Sequence, residues 1–279
     1  MSEKTYPCLW FDGQAKAAAQ FYCSIFPESS IIQESPMVVN WVLNGQRFMG
    51  LNGGPMFQLN ASISVFANFD NQANLDAAWN QLIEGGSALM PIDKYPWSER
   101  YGWLKDKFGL TWQLMLSDNN LLLPSMLFSN TQFGNAQSAM QLYHSIFPSS
   151  GIDITELYGP ENPAQAGKLM FGQMHVMNNP LILMDGPGDH YFQFNEAFSF
   201  VVECANQTEI DFYWNSLIAD GGQESMCGWL KDRFGVSWQI IPAALSKLMS
   251  HSNNGQKVME ALLKMRKLII ADLEAAANS

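Results

Sequence analysis

The chain has 279 residues, 47% of them apolar, and a formal net charge of -11 from 26 acidic and 15 basic residues. That length fits two domains at about 100–200 residues each, and that apolar share excludes a disordered chain. The acidic balance argues against nucleic acid or an anionic membrane as partner, because phosphate binding needs clustered Lys and Arg. The N-terminus MSEKTYPCLW has no long apolar core, so no signal peptide is expected, and no apolar run is long enough to span a membrane. Cys8, Cys23, Cys204 and Cys227 include no CxxC pair and read as reduced thiols of a cytoplasmic protein.

Taken in chain order, PCLWF is a short strand-like run. Ala18, Phe21, Tyr22, Ile25 and Phe26 then fall at i, i+3, i+4, i+7 and i+8, the apolar stripe of a helix that stops at Pro27. SIIQES, MVVNWVL and QRFMGL follow as strands, and LNGGP breaks the unit. ASISVFA precedes a second helix, with its stripe at Leu75, Ala78, Trp79, Leu82 and Ile83 and its end at Gly85-Gly86. SALMP, YGWLK and TWQLML are the strands after it. Beyond a linker near Ser117 to Pro124 the order returns. One helix carries Ala139, Leu142, Tyr143, Ile146 and Phe147, and another carries Ile210, Tyr213, Trp214, Leu217 and Ile218. The unit is β-α-β-β-β, and the chain holds four of them.

The halves also match in letters. AQFYCSIFPESS from Ala19 resembles MQLYHSIFPSSG from Met140, and FQLNASISV from Phe57 resembles FQFNEAFSF from Phe192. GWLKDKFGLTWQ from Gly102 and GWLKDRFGVSWQ from Gly228 share nine of twelve positions. The chain is therefore a tandem duplication. The expected fold class is α+β: a tandem duplication of paired βαβββ modules, with domains at 1–118 and 122–243 and a helical tail at 244–279. The tail segment NNGQKVMEALLKMRKLIIADLEAA reads as one helix with Val258, Leu262, Met265 and Ile269 on a stripe. It either covers the second half or makes a homodimer contact.

The twice-written Asp-x-Phe-Gly reads as a hairpin turn between the last two strands of a unit, since Asp starts turns and Gly accepts positive φ. The residues flanking it are the candidate ligand-binding set: Tyr101, Trp103 and Gln113 in one half, Cys227, Trp229 and Gln239 in the other. His175 in FGQMHVM joins them, because period-2 alternation puts it on one face with Phe171 and Gln173. His144 reads as a surface residue and His190 as a loop residue. The first half has the longer connection before its phrase, ALMPIDKYPWSER, which adds Tyr95, Trp97 and Arg100 and reads as a loop that lids or blocks one cleft.

Four such units, the FY…IFP helix end and the D-x-F-G-x-x-W-Q hairpin resemble the vicinal oxygen chelate superfamily of glyoxalase I, extradiol dioxygenases and bleomycin and fosfomycin resistance proteins. Within it the chain is similar to the PhnB-like subgroup, often labelled 3-demethylubiquinone-9 3-methyltransferase. The resemblance implies glyoxalase-like open barrels. It also implies metal ligands on cleft strands, which would fall at Gln113, Gln239, Cys8, Met126 to Phe128, Ala61 and Ala197. An amide is a poor ligand for a divalent transition metal, so neither a catalytic metal nor a cofactor is expected. A methyl-donor site would need a glycine-rich strand-to-helix turn, but NGGP precedes a strand and DGPG is broken by proline. The expectation is a small-molecule binder, or an enzyme whose reaction and catalytic residues the sequence does not name. A module with filled clefts is the alternative, and a metal-dependent lyase or dioxygenase comes last.

Overall fold

The structure, a computed structural model, describes residues 4–251 and 254–279, without the side chain of His251. The four βαβββ modules are all present. The first is β1 (Thr5–Phe11), α1 (Ala15–Ile25), β2 (Ser30–Glu34), β3 (Val38–Leu43) and β4 (Gln46–Asn52). The second is β5 (Ile63–Phe69), α2 (Gln72–Leu82), β6 (Ser87–Tyr95), β7 (Ser98–Lys105) and β8 (Thr111–Leu116). The third is β9 (Leu122–Phe128), α3 (Ala136–Ile146), β10 (Gly151–Leu157), β11 (Leu169–Val176) and β12 (Asn179–Asp185). The fourth is β13 (Phe198–Cys204), α4 (Gln207–Ile218), β14 (Gln223–Glu224), β15 (Trp229–Lys231) and β16 (Ser237–Pro242).

The chain forms two compact units, Met1–Tyr6 with Ser199–Ser279, and Pro7–Phe198. The larger unit holds an open eight-stranded sheet in the order β10-β11-β12-β9-β5-β8-β7-β6. Its centre is the antiparallel pair β5 and β9, with Ser64 opposite Ser125. The second and third modules therefore share one sheet, and pairing runs straight across the linker expected between the halves. β9 carries Leu122, Leu123, Met126 and Phe128, all buried, and an apolar strand of that kind is covered best at the middle of a sheet.

Helices lie on one face of this sheet. A Cβ at Gly102 would come within 2.5 Å of the Trp79 ring of α2, and one at Gly172 within 2.6 Å of Met140 Sδ of α3. Gly102, in the first copy of the repeated phrase, is thus required by a helix crossing its strand. The twice-written turn is scaffold, as its letters suggest. Asp106 Oδ1 accepts from the backbone N–H of Phe108 (2.8 Å) and Leu110 (3.1 Å), and Oδ2 accepts from Trp112 Nε1 (2.9 Å) and Tyr22 Oη (2.8 Å). Burial is the main influence on Asp106 and raises its carboxyl above the usual range, against the four hydrogen bonds that lower it. Asp232 repeats the arrangement with Phe234, Val236 and Trp238 Nε1 (2.9, 3.1 and 3.0 Å). Trp112 and Trp238 are fully buried beneath these turns. At about 150–250 Å² each, such a ring contributes roughly 4–6 kcal/mol of gross burial energy.

Two expectations change. ALMPIDKYPWSER is no loop: β6 and β7 pair out to Tyr95 opposite Ser98 and form a long hairpin with three register irregularities. Tyr95, Trp97 and Tyr101 pack together there, with centroids 5.1–5.6 Å apart, and Tyr95 Oη donates to Pro91 O (2.9 Å). These ring contacts hold as ordered strand what polar letters made look like a loop. The tail is helical, beginning with α5 (Leu245–His251), but the segment expected as one helix holds two, α6 (Gly255–Leu262) and α7 (Ile270–Asn278). Asn253, the first residue of the expected helix, lies outside the described residues. The break between α6 and α7 is held open by partners in the fourth module. Cys227 N donates to Met265 O (2.7 Å), Gly228 N to Arg266 O (2.8 Å) and Gln207 Nε2 to Leu268 O (3.0 Å).

Candidate functional site

The face of the eight-stranded sheet turned away from α2 and α3 collects the first-half candidates. Trp103 pairs with Gln113, so their side chains share that face, and Tyr101 lies one pleat away. Tyr101 Oη donates to Gln113 Oε1 (2.7 Å), and Gln113 Nε2 donates to Ser64 Oγ (2.6 Å) and, more weakly, to Ser125 Oγ (3.5 Å). The amide thus sits between a phenol and the two serines at the centre of the sheet, and its orientation is set by both. Each serine hydroxyl that accepts from the amide keeps a proton to donate. Burial, with Tyr95 nearby as a lesser cause, pushes the Tyr101 phenol well above its ordinary range, so it stays a neutral donor.

Around this polar centre the face is apolar. Phe66, Leu123 and Ile182 are buried with Tyr101, and Met90, Tyr95, Trp103, Met115, Phe171 and Met184 pack against them. Trp103 Nε1 is buried without a hydrogen-bond partner. An unsatisfied buried donor costs about 1–3 kcal/mol, so an acceptor placed against it would gain that much. Trp41 Nε1 is also unpartnered, but that ring is fully buried against Phe48 and Tyr22 in the first module.

His175 is on the same face at β11, and the structure gives it a partner that the sequence did not suggest. Its Nδ1 lies 3.1 Å from both Asp153 oxygens. A register irregularity between Ile152 and Ile154 sets Asp153 out of the alternating pattern, so letter spacing gave no signal for it. His144 is exposed, with Nδ1 3.2 Å from Ser150 Oγ, and His190 Nε2 lies 3.2 Å from Pro187 O in its loop.

In the smaller unit the strand order is β14-β15-β16-β13. Trp229 pairs with Gln239, and Gln239 Nε2 donates to Ser199 Oγ (2.9 Å), which repeats the amide–serine contact. Cys227 stands where Tyr101 stands in the second module but does not begin the strand. It has φ +61° and precedes β15, and it packs with Ile241 among Val258, Leu262, Leu268 and Leu273 of the tail. Burial raises its thiol above the ordinary value. The tail therefore covers this part of the smaller unit, and the candidate set splits between the two units.

A cavity of about 590 Å³ lies elsewhere in the larger unit, lined by Trp10, Asp12, Phe57, Lys105, Lys107 and Phe108 among others. It shares no residue with the Gln113 cluster, and its one buried carboxylate, Asp106, is fully engaged in the turn described above.

The model of the 3-demethylubiquinone-9 3-methyltransferase family matches residues 3–115 and again residues 121–241. The chain belongs to this family. The double match mirrors the internal duplication. A solved Bacillus cereus PhnB protein, described as a putative 3-demethylubiquinone-9 3-methyltransferase, is 31% identical. The match covers 40% of this chain and 98% of that one, with a TM-score of 0.38. Glyoxalase I from Zea mays is 8% identical over 85% of this chain and 91% of its own, with a TM-score of 0.53, and shares the fold alone. No curated protein matches the chain.

At two of the strand positions where the resemblance implies metal ligands stand Gln113 and Gln239, whose amide N–H groups are turned to serines. Cys8, Ala61, Met126 and Ala197 are buried, and among the described residues no three His, Cys, Asp or Glu side chains converge to hold a metal ion. The glycine-rich turns at Gly53-Gly54 and Gly186–Gly188 each lead toward a strand, β5 or β13. No helix opens there to receive a methyl donor's anionic end. Among the described residues, no helix is long and apolar enough to cross a membrane.

Proposed function

We propose that this PhnB-like protein binds a small, neutral, partly apolar molecule on the Gln113 face of the eight-stranded sheet. The observation that carries the reading is the buried, unpartnered indole N–H of Trp103 beside the Tyr101–Gln113–Ser64 chain of hydrogen bonds. A carbonyl or amide oxygen of the ligand accepts from Trp103, and the Phe66, Phe171, Met115 and Met184 side chains cover its apolar part. A charged ligand is disfavoured, since the cluster offers neutral donors and acceptors and no ion to pair with. Gln239 and Trp229 repeat part of the cluster, but the tail packed on Cys227 and Ile241 favours a filled, structural role for the smaller unit. The free cysteines fit a reducing compartment, and the chain is assigned to the cytoplasm on that ground.

The test is fluorine NMR on protein labelled with fluorotryptophan, titrated with neutral aryl ketones and amides. The reading expects the Trp103 resonance, assigned by Trp103→Phe, to shift with saturation. It expects that shift to weaken at least tenfold in Gln113→Ala. Ligands that bind but move only the other tryptophans would contradict it.

A further inference from the structure

The cavity beside the repeated turn holds chemistry that the Gln113 face lacks. Residues 10–14, 55–59, 85–87 and 105–109 of the larger unit supply its walls, and its volume of about 590 Å³ suits a small organic molecule. One part of the lining is aromatic. Trp10 Nε1 donates to Gly54 O (2.7 Å), and the Phe57 ring meets the indole edge-on at 5.1 Å, so the indole is held from two sides. A Cβ at Gly53 would run into that ring, so the glycine lets the indole lie there. Phe108 adds a third ring.

Another part of the lining is cationic. Lys105 ends β7, and Lys107 follows two residues later in the turn. A Cβ at Gly86 would meet the Lys105 carbonyl oxygen, so this glycine lets the α2–β6 turn close on the β7–β8 turn. Ser87, in register with Lys105, adds a hydroxyl. Lys107 Nζ lies 3.9 Å from the Phe21 ring centroid and 5.6 Å from that of Phe108, over apolar rings rather than against a carboxylate.

Among the described residues neither lysine has an ion-pair partner, in a chain of net charge -11. On the same hairpin Lys94 holds Glu99 (2.7 Å) and Arg100 holds Asp76 (2.8 Å). In the second copy of the turn, Arg233 stands where Lys107 does and is tied to Asp220 (3.1 Å), just before the glycine pair. Glu84 has that place in the first copy and makes no ion pair with Lys107. Two carboxylates belong to the lining. Asp106 uses both oxygens within the turn, and Asp12 is exposed on the β1–α1 connection. The ammonium groups of Lys105 and Lys107 therefore keep their donors for a ligand.

We propose that this cavity is a second small-molecule site, which takes an aryl carboxylate. The aromatic body packs against Trp10, Phe57 and Phe108, and Lys105 and Lys107 hold the carboxylate. The two sites then sort ligands by charge, neutral molecules to the Gln113 face and anions here. They share no residue, so either can fail without the other.

The test is fluorine NMR and titration calorimetry on the full-length fluorotryptophan protein, with cinnamate and naphthylacetate against their neutral amides. The carboxylates are expected to shift the Trp10 resonance, assigned by Trp10→Phe, with saturation, and the amides to leave it unmoved. Binding should weaken with added salt. Both lysines are exposed, so their replacement leaves the fold intact. The double variant Lys105→Gln/Lys107→Gln should bind the carboxylates about tenfold more weakly, since each exposed pair contributes a factor of a few. Lys105→Arg/Lys107→Arg should keep binding within about threefold, because the charges remain. Asp12→Asn should tighten binding by removing a like charge. Carboxylates that leave Trp10 unmoved, or bind the double Gln variant as well as the native protein, overturn the proposal. So does weaker binding in Asp12→Asn, or an amide that shifts Trp10 as strongly as its carboxylate. A shift of Trp103 alone by the carboxylates overturns it as well.

Discussion

Asp106→Asn isolates the claim that the repeated turn is scaffold. Its carboxylate accepts four hydrogen bonds, two at each oxygen. Asparagine keeps an oxygen for the Phe108 and Leu110 N–H groups but puts an NH₂ where Oδ2 was. Tyr22 can turn and accept from that NH₂, but Trp112 Nε1 has only a proton to offer and loses its acceptor. Trp112 is fully buried, so the orphaned donor costs about 1–3 kcal/mol. The bonds to the remaining oxygen lose their charge assistance as well, which brings the total to about 2–4 kcal/mol. At roughly 2–4 °C per kcal/mol for a unit of this size, the unfolding midpoint should fall by about 4–16 °C. Urea unfolding followed by circular dichroism gives the free energy directly. The double variant with Trp112→Phe removes donor and acceptor together, so part of its cost should cancel relative to the sum of the singles. A loss under about 0.5 kcal/mol in Asp106→Asn would refute the reasoning, because surface substitutions alone stay within that range. The pH dependence has a definite sign. With a raised carboxyl the folded state holds the proton more tightly than the unfolded chain, so this group's contribution is present below the unfolded value near 3.9. It is lost as pH rises through the folded value. Asp106→Asn should flatten that part of the stability profile.

Leu268→Ala removes a fully buried side chain against which Gly228 packs, and should cost about 2–5 kcal/mol and speed amide exchange at Cys227 and Gly228, measured by mass spectrometry. The Cys23 and Cys227 thiols, raised by burial, and Cys204, pushed up to about 12 with burial the main cause, should alkylate slowly with iodoacetamide at pH 8 and rapidly in denaturant. Trp97, 58% exposed, should cost under about 1 kcal/mol on change to Ala yet weaken ligand binding at the Gln113 face, read by titration calorimetry, because its ring stacks on Tyr95 beside Tyr101.

The modules were legible because apolar stripes at helical spacing and short strand runs each follow from local geometry. The four helices form where those stripes lie, and Gly85 at φ +73° ends the second as its letter suggests. The pairing of modules was not legible. β5 and β9 meet across residues that look like a linker, and strand partners far apart in sequence leave no periodic trace. The hairpin of β6 and β7 was hidden by its polar letters, since it is held by Tyr95, Trp97 and Tyr101 rather than by alternation. At the site, Tyr101, Trp103 and Gln113 could be found because they flank a turn written twice. Ser64, Ser125 and Asp153 could not, since small polar residues on strands gain their roles only from what the sheet puts beside them.

A crystal structure of the protein with a ketone or amide found in the fluorine screen tests the central claim most directly. The account predicts the ligand on the Gln113 face, with its carbonyl oxygen about 3 Å from Trp103 Nε1 and its apolar part against Phe66 and Phe171. Ligand density in the cavity lined by Trp10, Phe57 and Lys107, with the Gln113 face unchanged, would contradict it.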